Sequence, residues 1–426
     1  MAEEEFRLIR FKMDERQGEN RLDPYLQQVL LDEAYRLLHF ELPEGIGDVD
    51  WEKLRAEDPT HDAEKRWVQI IAKLDNPGDP TDGIESVRTI GGTGAGTVVT
   101  GEVSYSNIQI IRDRVKSLKQ ARPVQLHLSE SVPAIHCRQN DLRAAFPNLP
   151  AGVDGSNVII GVVDRGCDFA HSNFLRRPAL ATRLLSLWDQ RGGAQSGAPA
   201  GFGYGRELSA EQINAALPQP NPYAALSYEL EAHAHGTSVL DVAAGNGWGT
   251  GAPGVAPNAD LIFVELDDDE KASGSFGNSR HVLDAVDYIF AKAGERPVVV
   301  NLSLGTHGGP HDGTTPVEQA FEELLHQKKG RAIVLAAGNT GGQPIHAQGK
   351  VRQQEDKILT WTFSEEAVSA EESEIWYDGQ TGDKTGLNIY LTPPGRAELP
   401  TPIKPGETYF LAQGTKMVGC VVHRKK

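Results

Sequence analysis

The chain is predicted to be an α/β protein built on a doubly wound parallel sheet, and three observations predict it. Short apolar runs at 157–164, 260–266, 297–304 and 332–337 alternate with segments of helical periodicity. The runs are apolar at successive positions, so both faces of each strand must be covered, as in a parallel sheet flanked by helices. Asp164 and Asn339 each follow such a run, at the carboxyl edge where sheets of this class carry their chemistry. The flanks read as an N-terminal α+β region and a partial C-terminal β-sandwich insert. The expected divisions are 1–96, partly helical; 97–150, a small α+β module and linker; 151–345, the core; and 346–426, the β-rich insert.

Asp23-Pro24 supplies a cap and a first-turn proline, and Val29, Leu30, Ala34, Leu37 and Leu38 then recur at helical spacing. Trp67, Ile70 and Ile71 mark a second candidate helix over 64–74. Gly91-Gly92-Thr93-Gly94-Ala95-Gly96 lacks the third glycine of a dinucleotide loop, which falls on Thr97, and no strong strand precedes it, so a flexible loop is expected. A strand over 97–103, a helix over 107–119 and a strand over 124–128 follow.

In the core, small residues after His235 predict a helix lying close to the sheet. Val282, Val286, Ile289 and Phe290 mark the next helix, and Thr315-Pro316 caps another carrying Val317, Phe321, Leu324 and Leu325. Beyond His346 the period changes to two, with Leu359-Trp361-Phe363, Ile375-Trp376-Tyr377 and Leu387-Ile389-Leu391, and a last strand over 417–423 has nothing after it to complete a sheet.

The chain of 426 residues, 39% hydrophobic and 24% charged, has the composition of a globular protein, and no apolar run approaches the ~18 residues that span a bilayer. Neither membrane nor nucleic acid is an expected partner, because a net charge of −17 repels phosphates. The acidic start and three scattered cysteines, Cys137, Cys167 and Cys420, give no secretory signal and no disulfide framework, so a cytoplasmic location is expected.

Asp164, His235 in His235-Gly236-Thr237, and Asn339 in Ala336-Ala337-Gly338-Asn339 supply the parts of acyl-transfer chemistry. The carboxylate orients the imidazole, the imidazole acts as general base, and the amide donates to a developing oxyanion. Other readings stand beside this one. Asp164, His171, His233 and His235 could hold a metal, which would leave Gly236-Thr237 and Asn339 without purpose. Asn339 could stabilise a turn, Ser303 could be a strand hydroxyl bonded to backbone, and Cys167 is expected to be a packed thiol. Nothing in the chain demands a cofactor or a structural calcium ion.

The blocks Val162-Val163-Asp164-Arg165-Gly166-Cys167-Asp168, His235-Gly236-Thr237-Ser238-Val239, Val300-Asn301-Leu302-Ser303-Leu304-Gly305 and Ala336-Ala337-Gly338-Asn339 resemble, in order, those of the subtilisin-like serine peptidases. The resemblance covers 152–340. It implies endopeptidase cleavage of protein or peptide substrates through an acyl-enzyme, with Ser303, Leu304 and Gly305 lining a groove where substrate adds as an extended strand. Residues 97–128 resemble, more weakly, the family's inhibitory prodomain, which implies an intramolecular N-terminal partner. One departure matters. The family's serine sits in Gly-Thr-Ser-Met-Ala, and the matching Gly414-Thr415-Lys416-Met417-Val418 has lysine there inside a strand-like context. Ser364, Ser369 and Ser373 have no suitable setting, so the chain is expected to end before its nucleophile, inside a β-sandwich insert, and to be inactive as it stands. The alternative is a non-catalytic peptide-binding or regulatory pseudo-peptidase.

Overall fold

Two units divide the chain, residues 122–375 and residues 1–121 together with 376–426. The computed structural model describes residues 5–12, 23–38, 42, 47–51, 53–54, 66–76, 78–90, 97–121, 125–126, 153–191, 197–231, 234–267, 278–340, 343, 345–352, 354–362, 372–377 and 386–424. The glycine-rich stretch 91–96 lies outside them.

The N-terminal elements are β1 (Phe6–Lys12), α1 (Pro24–Leu37), β2 (Asp48–Asp50), β3 (Trp67–Lys73), β4 (Ile84–Ile90), β5 (Val98–Ser104), α2 (Ile108–Arg112) and β6 (Ser117–Gln120). Helix α1 begins where the sequence places it, with the Asp23 carboxylate accepting from Tyr25 N at 3.0 Å. Leu26, Leu30, Leu31 and Ala34 form its buried stripe.

Two readings here are corrected. Residues 67–73 form a strand instead of the helix expected over 64–74. Trp67, Val68, Ile70 and Ile71 are the residue types that fit a pleated surface, and pairing with β5 on one side and β6 on the other outweighs local periodicity. The helix expected over 107–119 stops at Arg112, because residues 117–120 are drawn into that ladder. The sheet β4-β5-β3-β6 therefore crosses the division drawn after residue 96.

The second unit contains β7 (Gln125–Leu126), β8 (Ile159–Asp164), β9 (Leu175–Arg176), β10 (Ala181–Thr182), β11 (Leu184–Asp189), β12 (Arg206–Ser209), α3 (Ala210–Ala216), α4 (Pro222–Ala225), α5 (His235–Ala244), β13 (Asp260–Glu265), α6 (Ser279–Ala293), β14 (Val298–Leu302), β15 (Leu304–Gly305), α7 (Pro316–His326) and β16 (Arg331–Leu335). Its main sheet runs β12-β11-β13-β8-β14-β16. The strands are parallel except β12, which joins β11 antiparallel at the edge. All six residues of the central β8 are buried, as a strand covered on both faces requires. Helix α7 starts with a capping box between Thr315 and Glu318.

The C-terminal residues differ from the expected insert. Strands β17 (Thr408–Gln413) and β18 (Lys416–Val422) form a hairpin, and β17 pairs on its other side with β1, so the order is β18-β17-β1-β2. The neighbour that the sequence failed to offer comes from the opposite end of the chain. Phe410 is fully buried in this core, its ring 5.6 Å from that of Phe11. Leu359, Trp361, Ile375 and Trp376 take no strand conformation and are exposed, while Ile389 makes one isolated bridge with Ile403. A period of two marks a face that a partner could bury, and no described strand supplies one there. Among the described residues no helix is long and apolar enough to cross a membrane.

Candidate active site

The site grows from the carboxyl end of β8. Asp164 closes that strand fully buried, and its Oδ1 lies 2.6 Å from His235 Nδ1. Arg165 N donates to the same oxygen at 2.7 Å. Burial pushes the Asp164 carboxyl above the ordinary carboxylate range, and the bond to His235 opposes that shift without cancelling it. His235 is the first residue of α5, and its side chain is 16% exposed. Its Nε2 is buried and makes no hydrogen bond with a described residue.

The His-Gly-Thr block follows the Asp-Arg-Gly block for a stereochemical reason. The first amides of a helix have no acceptor within it, and Ala234 before α5 offers no capping side chain. The carbonyls after Asp164 take that role, with Gly236 N donating to Arg165 O at 2.6 Å and Thr237 N to Gly166 O at 2.8 Å. Thr237 Oγ1 donates to Gly166 O at 3.0 Å and accepts from Asp168 N at 2.8 Å. A Cβ on Gly236 would lie 2.5 Å from Phe263 Cζ, so only glycine lets the helix seat this closely. Gly166 has φ +76°, and a Cβ there would lie 2.5 Å from Ala234 Cα. The histidine helix and the aspartate loop are thus one docked assembly.

The Subtilase family profile matches residues 155–372, half of the chain, and spans all four blocks. The chain belongs to the subtilase family. It is 28% identical over 194 residues to the major intracellular serine protease of Bacillus subtilis (strain 168), covering 45% of this chain and 45% of that protein. It is 31% identical over 196 residues to a subtilisin of Bacillus sp. (strain TA39), covering 43% of each. The chain therefore spans less than half the length of these two relatives. The solved structure of the Clostridium perfringens CspB protease aligns with 53% of this chain and 44% of its own, at 24% identity and a TM-score of 0.42.

In this subtilase the other sequence-predicted residues line the same sheet edge. Ser303 directly follows β14, and Asn339 lies four residues past β16, so with Asp164 they follow the adjacent parallel strands β8, β14 and β16. Neighbouring strands lie ~4.8 Å apart, which keeps the three ends within about two strand spacings laterally. Asn339 is exposed. Asn301 Nδ2 donates to Ser303 Oγ at 2.9 Å, so that hydroxyl is engaged by a side chain. Leu304 and Gly305 form β15, which pairs antiparallel with Leu126 and Gln125 of β7.

Cys167 is fully buried, and burial together with Glu265 holds its thiol well above the ordinary range, which removes it as a nucleophile. His171 Nδ1 accepts from Asn173 N at 3.3 Å in a 3₁₀ turn, and His233 lies outside the described residues. No group of three potential metal ligands occurs among the described residues. Gly414-Thr415 is the turn of the β17–β18 hairpin, and Lys416 opens β18.

Sequence reading missed several neighbours. His307 lies beside the Ala336–Asn339 block, its Nε2 3.4 Å from Thr340 Oγ1. Glu265, Tyr228 and Arg191 form a buried polar cluster against the Asp164 loop. The signal available for Glu265 was a carboxylate ending the apolar run Leu261-Ile262-Phe263-Val264.

Proposed function

We propose that the 122–375 unit carries the acid–base pair and oxyanion donor of a serine endopeptidase site that hydrolyses peptide bonds through an acyl-enzyme. The carrying observation is the 2.6 Å contact of the buried Asp164 with His235 Nδ1, with Nε2 unbonded among the described residues. An acceptor at Nδ1 keeps the proton there and the lone pair on Nε2. From Nε2 the imidazole takes the proton of an attacking alcohol and returns it to the leaving amine, while Asp164 stabilises the imidazolium between the two steps. The Asn339 amide donates to the oxyanion of the tetrahedral intermediate.

Substrate is a protein or peptide laid as an antiparallel strand on Leu304–Gly305. The pairing of β7 on that edge supports the mode, because a segment of the same chain already takes it. Residues 125–126 then act as an intramolecular blocker, the prodomain role. A tethered competitor acts at high effective concentration, so Leu126→Pro, which removes a ladder N–H, should tighten binding of an extended peptide on the order of tenfold in fluorescence anisotropy. Unchanged affinity would remove β7 from this role.

In this reading none of residues 1–426 supplies the alcohol. A serine-directed fluorophosphonate should leave the polypeptide unlabelled under conditions that label subtilisin to completion. Labelling that His235→Ala abolishes would overturn this, since it would reveal a serine activated by that imidazole. The competing reading is a non-catalytic peptide-binding pseudo-peptidase, favoured by strand pairing at Leu304–Gly305, which needs no nucleophile.

A further inference from the structure

Glu265 ends β13 in direct register with Asp164 of β8, and it is fully buried. Its oxygens Oε1 and Oε2 both accept from Gly166 N, at 2.8 and 2.9 Å, and Oε2 also accepts from Tyr228 Oη at 2.7 Å. Tyr228 Oη in turn accepts from Cys167 N at 3.0 Å. Arg191 stands over the Tyr228 ring with Nη1 3.9 Å from Glu265 Oε1, and its other nitrogens bind Asp189 at 2.8 and 3.0 Å. Glu231 faces Arg191 at 3.7 Å and pairs with Arg165. These contacts draw the ends of β11 and β13 and the loop around Tyr228 onto the three residues that follow Asp164.

Gly166 is the link to the histidine. Its N–H is held by Glu265, while its carbonyl accepts from both the amide and the hydroxyl of Thr237, two residues into the His235 helix. Gly166 also sits at φ +76°, a conformation that needs external contacts to fix it. We propose that Glu265 is a positioning residue for the Asp164–His235 pair: by gripping the Gly166 amide it fixes the peptide that caps the histidine helix, and it does so more firmly as a carboxylate than as a neutral acid. The inference rests on reading Asp164 and His235 as the acid–base pair.

The chemistry makes the grip sensitive to pH. Burial pushes the Glu265 carboxyl up to about 7, against the opposing pull of Arg191, Gly166 N and Tyr228, with Asp189 adding to the rise. An ionised carboxylate accepts stronger hydrogen bonds than a neutral acid, so the Gly166 amide is held tightly above that pH and loosely below it. Among the facing groups, Tyr228 and Cys167 are held well above their ordinary values by burial first and by Glu265, and the ion pairs of Arg191 keep it charged, so none of them titrates in this range. Asp164, raised by its own burial, lies near enough to report a change of its own, which is why the variants below are needed.

The test follows the Gly166 backbone amide and the His235 Nδ1 proton by NMR in the full chain from pH 5 to 9. In the wild type the Gly166 amide shift and its exchange protection should step with a midpoint near the Glu265 value of about 7, protection rising with pH relative to the intrinsic exchange rate. Glu265→Gln should abolish that step while the His235 proton signal persists. Tyr228→Phe removes a donor that favours the carboxylate, so the step should move to higher pH. A wild-type Gly166 amide that is flat across the range, a step that survives Glu265→Gln, or a midpoint unmoved by Tyr228→Phe would each overturn the proposal. If Glu265→Gln does not fold, Tyr228→Phe decides. Absence of a His235 Nδ1 proton bonded to Asp164 would defeat the acid–base reading instead, and the Gly166 step would remain measurable.

Discussion

Asp164→Ala should abolish the hydrogen-bonded Nδ1 proton of His235, and Asp164→Asn should keep it. The difference follows from Oδ1 serving two donors, His235 Nδ1 and Arg165 N. In the asparagine variant the backbone N–H of Arg165 selects the amide oxygen for that position, so an acceptor still faces Nδ1. What asparagine lacks is the charge that stabilises the imidazolium. Alanine removes both, and the ring is then free to carry its proton on Nε2, where it cannot act as a base. Imidazole ¹⁵N shifts of the two variants separate these effects. In any polypeptide where a serine reaches Nε2, Asp164→Ala should lower kcat by roughly 10⁴, the order found for loss of the triad aspartate in subtilisin. A low-field Nδ1 proton surviving in Asp164→Ala would mean that another group holds the ring.

Gly236→Ala should cost about 1–3 kcal/mol, the range for forcing an extra carbon into a packed interior. The added Cβ would meet Phe263 Cζ at 2.5 Å and Arg165 O at 3.0 Å. Neither neighbour yields easily: Phe263 is fully buried, and Arg165 O already accepts from Gly236 N. The helix must lift, and lifting it breaks the two carbonyl caps and lengthens the contact between His235 and Asp164. Urea unfolding gives the energy, and the His235 proton signal shows whether the pair opens. Wild-type stability together with an intact signal would contradict the docking described for α5.

The conversion of sequence into fold succeeded where the signal was local and redundant. The central β8 and β13 are apolar on two covered faces, and a strand buried on both sides has few alternatives, whereas the edge strand β16 leaves Val334 and Leu335 exposed, against the expectation of cover on both faces. Thr315-Pro316 and Asp23-Pro24 announced their helices because caps act within one turn. The reading failed where a short segment was decided by its partners. Residues 67–73 have helix-compatible spacing, yet they lie between two strands, and the ladder on both sides outweighs a weak periodicity. Leu359 and Trp361 alternate without a neighbouring strand among the described residues, and they remain exposed.

The chemical blocks were legible for the same reason as the core strands. Asp164 and His235 each sit in a short motif whose glycine, Gly166 or Gly236, is imposed by close contact with Ala234 or Phe263. The Glu265 cluster was not legible, because Glu265, Tyr228 and Arg191 belong to three stretches apart from the Asp164 block that holds Gly166, and nothing in the sequence links them to it.

The sequence by itself determined four parallel strands of the main sheet, β8, β13, β14 and β16, and the short motifs at their carboxyl ends, because apolar runs and helix caps are written in adjacent positions; it gave no sign of β11 and β12, which complete that sheet. Only the tertiary structure decided that β1 completes the sheet of the C-terminal hairpin, that β7 lies on Leu304–Gly305, and that Glu265 grips the loop behind Asp164. Those contacts join residues far apart along the polymer through backbone hydrogen bonds and a buried charge. Such bonds leave no periodic trace in the chain, since any residue offers the same N–H and C=O, and only the fold brings the right ones together.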